Sequence, residues 1–196
     1  FCISTSYRNE PNPIPGRHEK IFPMFEFESK GNMNDLIRLE SELLAYLGLD
    51  LPSLHDYEDL ATKYNVSILE TEHEGQMEKD IGKSVIIQHF PERTSPFWNM
   101  KHDKDGIFKK VDVILYGQET IGSAERATDK DEMRHFFETI SEGGYKDKLY
   151  DLFGKDRVEA ELKEYLSNDF YPRFGGGIGV TRLVRALKLK ENSPTF

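Results

Sequence analysis

The stretch YPRFGGGIGVTRLVRALKL, residues 171–189, decides how the chain is read. Four of the five positions from Gly175 to Gly179 are glycine, and they run into Arg182 and an apolar helical stripe. Glycine lets a backbone approach a ligand or a neighbouring strand closely, because no Cβ stands in the way. The spacing rejects two common phosphate cradles. For G-x-G-x-x-G the last glycine would fall on Val180 or, one start later, on Arg182. Ile81-Gly82-Lys83-Ser84 resembles the end of a phosphate loop, but its first glycine would fall on Met77. Beyond the glycines, Arg182 is expected just inside a helix whose Leu183, Val184, Ala186 and Leu187 face a core.

The 196 residues suffice for one domain with a sizeable core. No apolar run approaches the ~18 residues of a membrane span. Thirty-five acidic against twenty-six basic residues leave a net charge of −9, which argues against a broad basic face for nucleic acid. A single cysteine, Cys2, rules out an internal disulfide and a cysteine-rich zinc site. With no secretory signal visible, a cytoplasmic protein is expected. The sequence opens on Phe1, directly into a β-like run, so an upstream segment is expected to be missing.

Outward from the glycines, the pattern predicts an α+β fold, an antiparallel sheet flanked by helices. FCISTSYR (1–8) and IFPMFEFES (21–29) alternate as strands, joined by the proline-rich turn NEPNPIPG (9–16). A helix starts near Asn34, with Leu36, Ile37, Leu39, Leu43, Leu44 and Leu47 at helical spacing and Gly48 as its stop. Ser53 is expected to cap a second helix carrying Leu54, Tyr57, Leu60, Ala61 and Tyr64. SVIIQHF (84–90) reads as a buried strand. VDVILYG (111–117) and ETIGSAER (119–126) read as a hairpin turning at Gly117-Gln118. Two helices, roughly 130–141 and 156–167, are expected before the glycines.

Several stretches carry candidate chemistry. Arg8, with Arg17 and His18 beyond the turn, suits a polyanion that two guanidinium groups can clamp, and Phe22 offers a flat face for a base; a charged hairpin with an apolar inner face fits the same residues. Asp112 stands among Val111, Val113, Ile114 and Leu115, so it is a carboxylate in a buried-type strand. With Glu119 it suits Mg²⁺ on phosphate oxygens; alternatively an arginine pairs with it structurally. In Ile121-Gly122-Ser123-Ala124-Glu125-Arg126 small residues open space that Arg126 can enter to receive a carboxylate. The six histidines show no paired metal spacing.

Taken in order, these stretches resemble the catalytic core of class II aminoacyl-tRNA synthetases, in the aspartate/asparagine/lysine branch. Arg8-Asn9-Glu10 with Arg17-His18-x-x-x-Phe22-x-Met24-x-Glu26-x-Glu28 resembles motif 2, and Gly175 to Leu183 resembles motif 3. Thr71-Glu72-His73-Glu74, Phe90-Pro91, Phe97-Trp98, Asp105-Gly106, Asp112 and the run from Gln118 to Arg126 are similar to the asparaginyl enzymes. The resemblance implies one catalytic domain over 1–196, running from motif 2 to motif 3. It implies that Arg8 holds the α-phosphate and the reacting carboxylate, Glu10 reads the adenine amino group, and Arg17 with His18 holds the γ-phosphate. Phe22 and Arg182 would sandwich adenine above Gly177 and Gly179, and Asp112 with Glu119 would carry Mg²⁺. Arg126 would receive an Asp or Asn side chain, with Ser123 and Glu72 beside the amino acid. Two positions differ from the branch: Thr181 replaces an acidic residue of motif 3, and Arg173 stands where the asparaginyl enzymes show histidine.

The activity so implied is a ligase that adenylates aspartate or asparagine with ATP and Mg²⁺, with tRNA as a further partner and a homodimer as the full-length state. GGGIG-x-Thr-Arg-Leu is also similar to asparagine synthetase A, which passes aspartyl-AMP to ammonia. A non-catalytic synthetase-like binding module is the third reading.

Overall fold

The computed structural model describes residues 1–9, 12–14 and 19–192. Seven strands and seven helices follow one another along them: β1 (Cys2–Tyr7), β2 (Ile21–Lys30), α1 (Met33–Tyr46), β3 (Ser53–Asp56), α2 (Tyr57–Tyr64), α3 (Thr71–Asp80) and β4 (Ser84–Pro91). Then come β5 (Ile107–Leu115), β6 (Gln118–Glu125), α4 (Lys130–Thr139), α5 (Gly144–Phe153), α6 (Lys155–Ser167), β7 (Arg173–Gly179) and α7 (Val180–Glu191).

The strands form one sheet in the order β1-β2-β7-β6-β5-β4-β3. The glycine-rich stretch is therefore a strand at its centre, paired antiparallel with β2 on one side and β6 on the other. All neighbours are antiparallel except β3 and β4, which run parallel. That one parallel pair makes the largely antiparallel sheet mixed, and it arises where a helix cap was expected. Ser53 to Asp56 lie extended beside Val85 to Gln88, and the helix begins only at Tyr57. Asp56 anchors the strand end, its Oδ1 accepting from Gln88 Nε2 at 2.7 Å. Leu54 thus belongs to a strand, not to the helical stripe.

The β5–β6 hairpin turns through Tyr116 and Gly117, one residue before the expected place. Both residues take left-handed backbone, φ 47° and 68°, the pairing that matches the twist of a two-residue hairpin. α3 and α5 escaped the sequence pattern because their apolar stripes are thin. α3 buries only His73 and Met77, and α5 buries no residue fully.

Side-chain alternation divides the sheet. Phe25, Phe27, Val111, Val113, Ile121, Phe174 and Ile178 point to one face, where Leu36 and Leu44 of α1 and Ala186 of α7 complete the main core. α1 starts at a capping box between Asn32 and Asp35. The opposite face is covered near β4 by Tyr57, Leu60 and Ala61 of α2 and Met77 of α3. α4 to α6 gather around Trp98 and Phe108. In α7, Leu183, Ala186 and Leu187 meet the core as expected, whereas Val184 is 43% exposed. Among the described residues no helix is long and apolar enough to cross a membrane.

Candidate active site

Because side chains alternate along a strand, the second face of the central strands presents a different set. Gly175, Gly177 and Gly179 of β7 share it with Met24 and Glu28 of β2: an added Cβ at Gly177 would lie 2.5 Å from Met24 Cε, and one at Gly175 3.0 Å from Glu28 Cγ. Across β6, Gly122 pairs with Gly177 and Ala124 with Gly175. Two adjacent strands thus form a lane of glycine and alanine. Gly176 has a different task, on the core side. A Cβ there would meet Ser123 Cβ at 2.5 Å and the Gly122 carbonyl oxygen at 2.8 Å, so it permits close strand pairing.

One end of the lane opens into a cavity of about 670 Å³, a size suited to a small-molecule ligand. Gly122, Gly177 and Gly179 line it, with Arg8, Phe22 and Arg182 around them. The Arg8 guanidinium lies 5.2 Å from the Phe22 ring centre. Arg182 Nη1 donates to the Glu119 carbonyl at 2.6 Å, and its side chain passes within 3.4 Å of a Cβ position at Gly179. Arg185 and Lys188 of α7 extend the positive rim.

The β5 side of the lane carries the paired carboxylates. A Cβ at Gly122 would stand 3.0 Å from Glu119 Oε1 and 3.6 Å from Asp112 Oδ1, so both oxygens converge over that glycine. An extra residue at Thr120, where Ile121 pairs with Val113 but Glu119 with Ile114, turns Glu119 to this side. Asp112 is buried, and its Oδ1 has no hydrogen-bond partner among the described residues; Oδ2 accepts from Lys110 Nζ. Burial, with Glu119 and Glu74 adding to it, pushes the Asp112 carboxyl up to about 7 against the pull of Lys110. Glu74, from α3, accepts from the Glu119 amide at 2.6 Å.

No group of three or more His, Cys, Asp or Glu among the described residues could hold a metal ion. Two convergent carboxylates with one orphaned buried oxygen nevertheless fit Mg²⁺ that takes its other ligands from phosphate and water.

Four residues beyond Gly122, roughly 13 Å along the strand, stands Arg126. Its Nε lies 3.3 Å from Glu28 Oε1, and the same oxygen lies 3.2 Å from Arg173 Nε. Both arginine side chains are largely buried, 19% and 12% exposed.

Arg8, Phe22, Gly177, Gly179, Arg182, Asp112 and Glu119 therefore meet at the lane, with Arg126 at its far end. Glu10, Arg17 and His18 lie outside the described residues. Two expected residues stand elsewhere. Ser123 points to the core face, where its hydroxyl donates to Glu40 Oε1 at 2.7 Å; strand parity with Gly122 and Arg126 was the available signal. Glu72 is 77% exposed beside His73, and Glu74 is the α3 carboxylate that reaches the site. Glu28 was singled out only within a motif, and Lys110 and Glu40 were not recognised. Glu40 is 1% exposed on α1, and burial pushes its carboxyl up to about 8 although the Ser123 bond pulls down.

The fold is that of known synthetase structures. The chain matches asparaginyl-tRNA synthetase from Pyrococcus horikoshii, solved with asparaginyl-adenylate, at a TM-score of 0.75, 16% identity and 94% coverage of this chain. The asparaginyl-tRNA synthetase of Entamoeba histolytica, also with asparaginyl-adenylate, gives 0.75, 20% and 95%, and the aspartyl enzyme of that organism 0.73, 17% and 95%. A lysine–tRNA ligase of Thermoanaerobacter pseudethanolicus is 24% identical over 161 residues, 76% of this chain. The chain spans 31% of that ligase, 48% and 49% of the two asparaginyl chains and 44% of the aspartyl one. The family described as tRNA synthetases class II (D, K and N) matches residues 1–192, and to that family the chain belongs.

Proposed function

We propose that residues 1–196 act as one catalytic domain that adenylates aspartate or asparagine, within a ligase of the asparaginyl- or aspartyl-tRNA synthetase type or a stand-alone paralogue. The observation that carries this reading is the glycine–alanine run across β7 and β6, which has the arginine-rimmed cavity at one end and Arg126, paired with Glu28, at the other. Adenine lies over Gly177 and Gly179 between Phe22 and Arg182, a stack with a cation on one side. Its amino group is read by Glu10, and Arg17 and His18 hold the γ-phosphate. Arg126 receives the amino-acid side chain, and the α-carboxylate is left pointing back along the lane.

The chemistry is an in-line displacement. A carboxylate oxygen forms a bond to the α-phosphorus, the bond to the bridging oxygen breaks, and pyrophosphate leaves with the electron pair. Arg8 holds the α-phosphate and the attacking carboxylate, where it opposes the charge that builds up at the transferring group. Asp112 and Glu119 would hold Mg²⁺, which when bound neutralises phosphate charge. No residue forms a covalent bond to substrate, so rate derives from positioning and preset electrostatics.

Pyrophosphate exchange into ATP by the full-length protein tests this directly: aspartate or asparagine should support it. Exchange with neither would leave the non-catalytic module. A second reading is favoured by Thr181, which lines the cavity in place of an acidic residue. It is an ammonia-using ligase that makes asparagine, and ammonia-dependent asparagine formation without tRNA would establish it over transfer to tRNA. In either case the full-length protein is proposed to be a cytoplasmic homodimer.

A further inference from the structure

Glu28 stands between two arginines on the lane face. Its Oε1 lies 3.3 Å from Arg126 Nε and 3.2 Å from Arg173 Nε. Cross-strand register assembles the trio: Glu28 pairs with Gly175, two residues from Arg173, and the Arg126 amide donates to the Arg173 carbonyl at 2.8 Å.

Arg173 is not a loose surface cation. Its side chain is 12% exposed, and its guanidinium carbon lies 5.0 Å from the centre of the Phe170 ring. Nη1 reaches the Ala127 carbonyl and Nη2 the Tyr165 hydroxyl, both at 3.5 Å. These contacts fix the guanidinium against the end of the lane without neutralising it, because a ring, a carbonyl and a hydroxyl carry no net charge.

The charge count then decides. Two guanidinium groups face one carboxylate, so the trio carries one surplus positive charge. The neighbouring cation, Lys110, is already paired with Asp112. The two arginine side chains are 19% and 12% exposed and Glu28 is 51% exposed, so the surplus sits in a partly solvated cluster where an anionic ligand gains by answering it. An amide side chain brings no charge, whereas a carboxylate closes the balance with bonds from a planar donor fork.

We infer that Arg173 is a specificity-determining residue, which with Arg126 and Glu28 selects an amino acid whose side chain is a carboxylate, aspartate over asparagine. This rests on the proposed placement of the amino-acid side chain at Arg126.

Calorimetric binding of L-aspartate and L-asparagine to the full-length protein tests it, with Arg173→Met and Arg173→Lys beside the unaltered chain. Methionine keeps an apolar stem for Phe170 and removes the charge; lysine keeps the charge. Aspartate should bind at least tenfold more tightly than asparagine to the unaltered protein. Arg173→Met should erase that ratio by weakening aspartate alone, and Arg173→Lys should restore much of it. Asparagine binding as tight as aspartate in the unaltered protein, or equal loss of both amino acids in both variants, would overturn the inference. The adenylation reading fails by a separate result, aspartate bound without pyrophosphate exchange.

Discussion

Replacing Glu40 by glutamine should change how stability depends on pH. Glu40 is 1% exposed on α1, beneath the central strands; Oε1 accepts from the Ser123 hydroxyl and Oε2 has no partner among the described residues. Burial lifts its pKa from 4.5 to about 8. The folded state therefore holds a proton that the unfolded state releases. Below pH 4.5 both states are protonated and the carboxyl costs nothing. As pH rises towards 8 the unfolded chain gains an ionisation the folded chain lacks, so stability falls by about 1.4 kcal/mol per pH unit. By pH 7 the accumulated loss is about 3 kcal/mol. Glutamine keeps an acceptor for Ser123 and never ionises, although its amide group adds a pH-independent cost of about 1–3 kcal/mol. Urea unfolding of the full chain at pH 5, 6, 7 and 8 should show Glu40→Gln gaining on the unaltered protein with each step. A difference that stays constant with pH, or shrinks as pH rises, would refute the reasoning.

Three further outcomes follow from distances in the site. On the core side, Gly176→Ala forces a Cβ against the β6 backbone, 2.8 Å from the Gly122 oxygen, and should destabilise by about 1–3 kcal/mol in thermal or urea unfolding. Gly177→Ala meets only the flexible Met24 end, so it should fold normally while ATP affinity, read by calorimetry, falls about tenfold, roughly 1.4 kcal/mol. Asp112→Asn removes one of two carboxylates and should raise the Mg²⁺ concentration needed for half-maximal pyrophosphate exchange by about tenfold.

In residues 171–189 the close backbone approach and the helix that carries Arg182 were legible, but that the glycines themselves form the central strand was not, because only pairing with β2 and β6 makes so glycine-rich a run a strand. α3 was not legible, since its buried positions amount to His73 and Met77. β3 was misread because Ser53 before Leu54 satisfies a cap pattern, and only its pairing with Val85 and Ile86 makes it a strand. Within the site, strand parity made the opposite orientation of Ser123 readable. The bulge that turns Glu119 beside Gly122 was not, for it depends on the partner strand. The Glu28 trio was equally hidden, because its members lie 98 residues or more from Glu28 in sequence and meet through register alone.

The most direct measurement is a crystal structure of the full-length protein with ATP, Mg²⁺ and aspartate, or with a stable aspartyl-adenylate mimic. Adenine should lie between Phe22 and Arg182 over Gly177 and Gly179, with the amino-acid side chain at Arg126 and Arg173. A nucleotide bound elsewhere, or a side chain directed away from both arginines, would contradict the account.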